Sequence, residues 1–279
     1  MSRVYESLQR VERERRQTEA AGGASAHTAL LDNAVGKAFE MDGAPSVALN
    51  VPPGSRLISL TEPRSLAAEK FRVLATRLEN VRNQRDLKSL LVTSSVIHEG
   101  KTFVTGNLGV TLAWQFGSRV LLIEGDLHRP MLASFLGLTQ LQGLTHWWSG
   151  REENLARYVH KFNGIPLWLL GGGEPCDQPS KILQSERFAE IFTRFCGSFD
   201  WIVVDSPPMS PTVDVSLWSR LVDGMLLVVR EGVAPIKALE KGLANLDNPK
   251  LVGVVLNEAS ESGQTKYQEQ YHVQRRNRL

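Results

Sequence analysis

Six short, nearly unbroken apolar runs mark the chain between residues 89 and 258: SLLVTSS (89–95), RVLLIEGD (119–126), PLWLLGG (166–172), FDWIVVDSPP (199–208), DGMLLVVRE (223–231) and KLVGVVLNE (250–258). Runs of this length without polar alternation read as strands buried on both faces. Between them lie stretches with helical periodicity, 101–116, 180–196, 212–221 and 235–246. Apolar strands alternating with helices predict an α/β fold, a mostly parallel central sheet between two helical layers. Right-handed crossovers then bring the loops that follow the strands to one edge of the sheet, so residues at strand C-termini become the candidates for chemistry.

The pattern is different outside this region. Residues 1–20, MSRVYESLQRVERERRQTEA, carry five Arg and four Glu around a narrow stripe of Val4, Leu8 and Val11. That spacing predicts a charged helix, either solvated or a docking element. Residues 21–60 are rich in Ala, Gly and small polar residues and read as a linker. The folded domain is expected over 61–258, and the polar stretch 259–279, ASESGQTKYQEQYHVQRRNRL, reads as a flexible tail.

Composition adds limits. Hydrophobic residues make up 42% of the 279 and charged residues 22%, which suits an ordinary soluble domain with a sizeable core. A formal charge of +2 gives no reason to expect nucleic acid as a partner. Neither end shows a signal-peptide pattern and no apolar run is long enough to span a bilayer, so a cytoplasmic location is expected. Cys176 and Cys196 lack motif spacing and the His residues form no HExxH, so any metal should be a hard cation held by oxygen. The pair Trp147-Trp148, after a glycine turn, is expected to be partly in the core.

The chemistry concentrates at Ser95-Val96-Ile97-His98-Glu99-Gly100-Lys101-Thr102. This stretch follows one apolar run, opens a helix and completes the end of the pattern G-x-x-x-x-G-K-[ST], with Ser95 in the place of the first glycine. In such a loop successive backbone N–H groups wrap phosphates, the helix N-terminus adds a favourable dipole, the lysine neutralises β and γ oxygens and the hydroxyl faces Mg²⁺. Two other strand ends carry carboxylates, Glu124-Gly-Asp126 and Asp205-Ser-Pro-Pro208, and the topology directs both to the edge that holds Lys101. Acidic groups there can hold Mg²⁺ directly or through water.

Together, EGKT (99–102), EGDLHRP (124–130) and DSPP (205–208) resemble, in order and spacing, the motifs of the bacterial P-loop tyrosine kinases, relatives of the MinD and ParA ATPases. Weaker landmarks agree: LGL and QGL (136–138, 142–144), and GG-x-x-P followed by PSKIL (172–183). The resemblance covers about Glu69 to Asn257 and implies a three-layer P-loop NTPase fold. It implies ATP bound by Ser95–Phe103 and by Asn257 near the base, and Mg²⁺ held by Thr102, Asp126 and Asp205. Lys101, Asp126, Glu124 and Arg129 would serve the transfer, and Tyr267 and Tyr271 of the tail would be autophosphorylated. Loops of this family commonly begin with Ser or Thr, which accounts for Ser95. Departures are Ile97 and His98 where Pro and Gly are frequent, Glu124 for the usual Asp, and Ala75 in the third place of E-x-x-R-x-x-R, on a helix that joins subunits.

The implied activity is an ATP-dependent protein-tyrosine (auto)kinase that regulates exopolysaccharide or capsule assembly. Its implied partners are a membrane-embedded polysaccharide co-polymerase that activates it at the inner face of the membrane, further copies of itself as a homo-oligomer, and tyrosine-bearing protein substrates. The alternative is a MinD/ParA-like ATPase switch without kinase activity.

Overall fold

The computed structural model describes residues 44–259 apart from 50, 52–53, 140, 151–153, 210–212, 234, 245 and 247–249. The charged helix expected over 1–20, and Tyr267 and Tyr271, lie outside the described residues.

All six apolar runs form strands. They are β2 (Ser89–Ser94), β3 (Val120–Glu124), β5 (Leu167–Leu170), β6 (Trp201–Asp205), β7 (Gly224–Arg230) and β8 (Leu251–Asn257). Two short strands escape the sequence pattern, β1 (Ser46–Val47) and β4 (Val159–Phe162). The order across the sheet is β1-β4-β5-β3-β6-β2-β7-β8. β4 runs antiparallel to β5 and β1 pairs parallel with β4, so these two oppose the six parallel strands.

Side chains alternate between two cores as the pleat requires. Leu91, Ile202 and Val204 face one core, which contains Phe188, Phe195 and Trp218. Leu90, Val92 and Val203 face the other, with Leu108, Leu112 and Phe71. Each core is covered by helices, and the result is the expected three layers.

On the second face lie α1 (Ile58–Thr61), α2 (Leu66–Arg82), α3 (Lys101–Phe116) and α4 (Leu132–Phe135). The Ser65 hydroxyl caps α2 by accepting from Ala68 N–H at 3.1 Å, and Ala68, Phe71, Ala75 and Leu78 bury one stripe of it. Ala75 is wholly buried there, packed into the second core. Part of the segment read as linker is folded: Leu57 is in the core, and Ser59 N–H donates to Asn107 Oδ1 at 2.9 Å, holding α1 on α3.

The first face carries α5 (Leu144–Ser149), α6 (Pro179–Leu183), α7 (Glu186–Ser198), α8 (Asp214–Leu221) and α9 (Ile236–Ala244). The helix expected over 180–196 is therefore two. Ser185 is the reason: its hydroxyl accepts from Phe188 N–H at 3.2 Å and starts a new helix. Trp147 is fully buried against Phe188, while Trp148 stays 37% exposed. No helix among the described residues is long and apolar enough to cross a membrane.

Candidate nucleotide and phosphoryl-transfer site

Strands β3, β6 and β2 are neighbours, and their C-terminal ends stand side by side. Glu124 is the register partner of Asp205, and Asp205 that of Val92. The topology therefore unites the three sequence motifs. Thr102, in the first turn of α3, donates its hydroxyl to Asp205 Oδ2 at 2.6 Å, and Thr105 donates to Oδ1 at 3.3 Å. Thr105 belongs to none of the sequence motifs, although its spacing of three from Thr102 puts both hydroxyls on one helix face.

The loop between β2 and α3 is braced from inside. Glu99 is fully buried; its Oε2 accepts from Ser95 Oγ at 3.0 Å and Val96 N–H at 2.8 Å, and its Oε1 from Arg230 N–H at 3.2 Å. What Glu99 can offer a phosphate is therefore its backbone. Glu99→Ala leaves those donors without a carboxylate, with an expected loss of about 3 kcal/mol in a urea titration and a matching fall in nucleotide affinity by calorimetry.

Gly100 has φ of 96° and a Cβ there would stand 2.2 Å from Asn257 Nδ2, so only glycine fits. Asn257, at the end of β8, donates that amide to Glu99 O at 2.9 Å. It borders the phosphate loop, with its side chain committed to that loop. The next turn leaves the N–H groups of Lys101, Thr102 and Phe103 without intrahelical acceptors, as at any helix start. The Phe103 ring points away and packs edge-on to Phe71 and Phe135.

His98 takes a left-handed φ of 63°, a conformation that favours glycine, while Ile97 is 52% exposed. His98→Gly removes the Cβ from a conformation that disfavours it, offset in part by unfolded-chain entropy. It should raise stability by up to about 1 kcal/mol, visible as a higher melting temperature.

The carboxylates differ in environment. Asp205 is completely buried, and this desolvation pushes its carboxyl up to about 7; the Thr102 hydrogen bond and Lys101 pull down, while the charges of Glu124 and Asp126 push further up. Glu124 is also raised, first by burial and then by Asp126, against the backbone N–H groups of Gly172, Leu132 and Ala133. Those groups use both oxygens: Oε2 accepts from Gly172 at 2.8 Å, and Oε1 from Leu132 and, at 3.3 Å, from Ala133. The additional methylene relative to Asp carries the Glu124 carboxylate into this clamp. Asp126 is half-buried, accepts from Arg129 N–H at 3.1 Å, and is the more accessible acid; the Arg129 side chain is exposed.

Three contacts between distant segments complete the site. His128 Nε2 lies 3.0 Å from Asp214 Oδ2, tying the loop after β3 to the start of α8. Burial raises the Asp214 pKa, while His128 lowers it. Arg230 pairs with Glu258 and reaches His98 O at 3.5 Å.

A glycine-permitted loop, a lysine at a helix start and buried acids on neighbouring strand ends define a P-loop nucleotide-binding architecture. Comparison with known proteins narrows this. No family model matches the chain. It is 30% identical over 227 residues to tyrosine-protein kinase YwqD of Bacillus subtilis (strain 168), a match covering 79% of this chain and 95% of that protein. The kinase domain of the Escherichia coli tyrosine kinase ETK superposes with a TM-score of 0.68 at 24% identity, covering 77% of this chain and 84% of the domain. Septum site-determining protein MinD of Pyrococcus horikoshii OT3, solved with Mg-ADP, shares the fold with a TM-score of 0.51 at 20% identity, over 63% of this chain and 72% of its own. The chain belongs to the bacterial tyrosine-protein kinases.

Proposed function

We propose that this kinase transfers the γ-phosphoryl group of ATP to tyrosines of its own 259–279 segment, Tyr267 and Tyr271, and thereby regulates exopolysaccharide or capsule assembly. The observation that carries the reading is the 2.6 Å hydrogen bond from Thr102 to Asp205, which joins the phosphate loop to the DSPP strand end.

The donor set suits Mg²⁺: a hydroxyl (Thr102) and two carboxylates (Asp205, Asp126), all hard oxygens, a partial set that waters and phosphate oxygens would complete. When bound, Mg²⁺ would supply positive charge for the β and γ oxygens. The N–H groups of the Gly100–Phe103 turn and the Lys101 ammonium hold the same oxygens and balance charge as it moves to the leaving group. The tyrosine Oη forms a bond to γ-phosphorus as the bond from that phosphorus to the β–γ bridging oxygen breaks, leaving ADP. Asp126 orients the phenol and takes its proton. Arg129, exposed beside it, offsets charge, and Glu124 supports the site by clamping Gly172 and the start of α4.

The setting follows from the same reading: the inner face of the cell membrane, reached through a membrane-embedded polysaccharide co-polymerase that activates the kinase, with copies of the chain assembling as a homo-oligomer. Purified protein incubated with labelled ATP, Mg²⁺ and the cytoplasmic segment of such a partner should label on tyrosine. A Tyr267→Phe/Tyr271→Phe variant should lose most of that label. Unlabelled wild-type protein under those conditions would falsify the proposal. ATP hydrolysis alone would favour a MinD-like switch, a reading encouraged by the engaged oxygens of Glu124.

A further inference from the structure

Three large apolar side chains stand out on the loops that follow β2, β3 and β6. Ile97 is 52% exposed after β2, Met131 is 59% exposed after β3, and Val213 is 65% exposed after β6. These loops leave adjacent strands, roughly 5 Å apart in the sheet. Side-chain and backbone contacts hold them together. His128 and Asp214 join the second loop to the third, and Met209 N–H donates to Ser94 O at 2.7 Å, joining the third to the first. Trp218 Nε1–H also donates to Gly125 O at 3.2 Å. The three loops thus leave the same edge of the sheet as Lys101 and Asp126, and each carries one exposed apolar group. The catalytic groups named above do not need this exposed apolar surface.

We propose that Ile97, Met131 and Val213 form the docking rim for the phosphoacceptor, and that its occupant is the tyrosine-bearing segment 259–279 of this chain, its own or a second copy's. This rests on the kinase reading and deepens it. The chain leaves β8 at Asn257, whose amide touches the phosphate loop, so the segment begins beside the site. Tyr267 stands ten residues further on, up to roughly 35 Å when extended, which is ample to cross the rim. The segment is polar apart from Tyr267, Tyr271, Val273 and a few small or terminal residues, so the tyrosine rings are what an apolar rim can select. A flexible thioether such as that of Met131 packs well against an aromatic ring, and aliphatic Val213 and Ile97 shield it from water. Recognition of this kind reads the ring and tolerates varied flanking sequence.

The test uses the full chain carrying Tyr267→Phe/Tyr271→Phe, so that a synthetic peptide of residues 262–276 is the acceptor, with the activating segment present. Met131 and Val213 precede α4 and α8 at cap positions where Ser is well tolerated, so Met131→Ser and Val213→Ser should fold. The expected result is a rise of five-fold or more in peptide KM for each, larger for the double variant, with kcat and the affinity for a fluorescent ATP analogue little changed. Met131→Leu should restore most of the KM. An unchanged KM overturns the rim. Loss of self-association in sedimentation with the peptide KM unchanged would make the face an interface between copies instead. A parent enzyme that cannot label the peptide at all overturns the kinase reading itself, and the rim with it.

Discussion

Replacing Lys101 with Met lowers the initial rate of tyrosine phosphorylation by at least about a hundredfold, while the protein still melts cooperatively. Two effects combine. The ammonium at the start of α3 is the positive charge proposed to meet the β and γ oxygens, and its loss removes that partner. Lys101 also pulls down the pKa of Asp205, so without it the buried acid is pushed further up and is protonated over more of the physiological range. The expected signature is a rate deficit that narrows as pH rises from 7 to 9. A rate within threefold of wild type would show that Lys101 does not engage the reacting phosphates.

Asp205→Asn separates activity from stability. The carboxyl titrates near 7 in the folded protein against 3.8 when unperturbed. Below 3.8 it is neutral in both states and costs nothing. Between 3.8 and about 7 the unfolded chain gives up its proton while the folded chain keeps it, so stability falls as pH rises, and above about 7 the loss is constant. At about 1.4 kcal/mol for each tenfold difference in proton affinity between the two states, the accumulated loss is on the order of 4 kcal/mol. In the absence of nucleotide the Asn variant should therefore resist urea better than wild type at pH 8, with the advantage gone by pH 4. Its kinase activity should fall at least about a hundredfold, because it lacks the charge that the proposed Mg²⁺ site requires. Equal pH dependence of stability in the two proteins would mean that Asp205 ionises normally in the fold. Glu124 and Asp214, raised in the same direction, remain in both proteins, so the difference between the two isolates Asp205.

Much of this architecture is legible in the sequence because the central strands are buried on both faces and so read as continuous apolar runs. β4 escapes because only Val159 and Phe162 of VHKF are buried, and β1 because two residues give no period. The helix over 180–196 hides its break since the apolar period continues through Ser185, whose role as a cap shows only in the structure. The phosphate loop is legible from spacing alone. The Glu99 brace, the His128–Asp214 tie and the Arg230 contact are not, because each joins segments whose relation depends on strand order and on which rotamer a side chain adopts. Glu124 is the instructive case. Its type and position point to catalysis, while its extra methylene takes the carboxylate into a backbone clamp.

The central claim is that the Lys101–Asp126–Asp205 edge moves a phosphoryl group onto tyrosine. Mass spectrometry of residues 259–279, after co-expression of the chain with the proposed membrane partner and in parallel with Lys101→Met, is the most direct test. Phosphate is expected on Tyr267 or Tyr271 in the wild-type protein and on neither in the variant. Unmodified tyrosines in a wild-type protein that binds ATP and releases inorganic phosphate would contradict it.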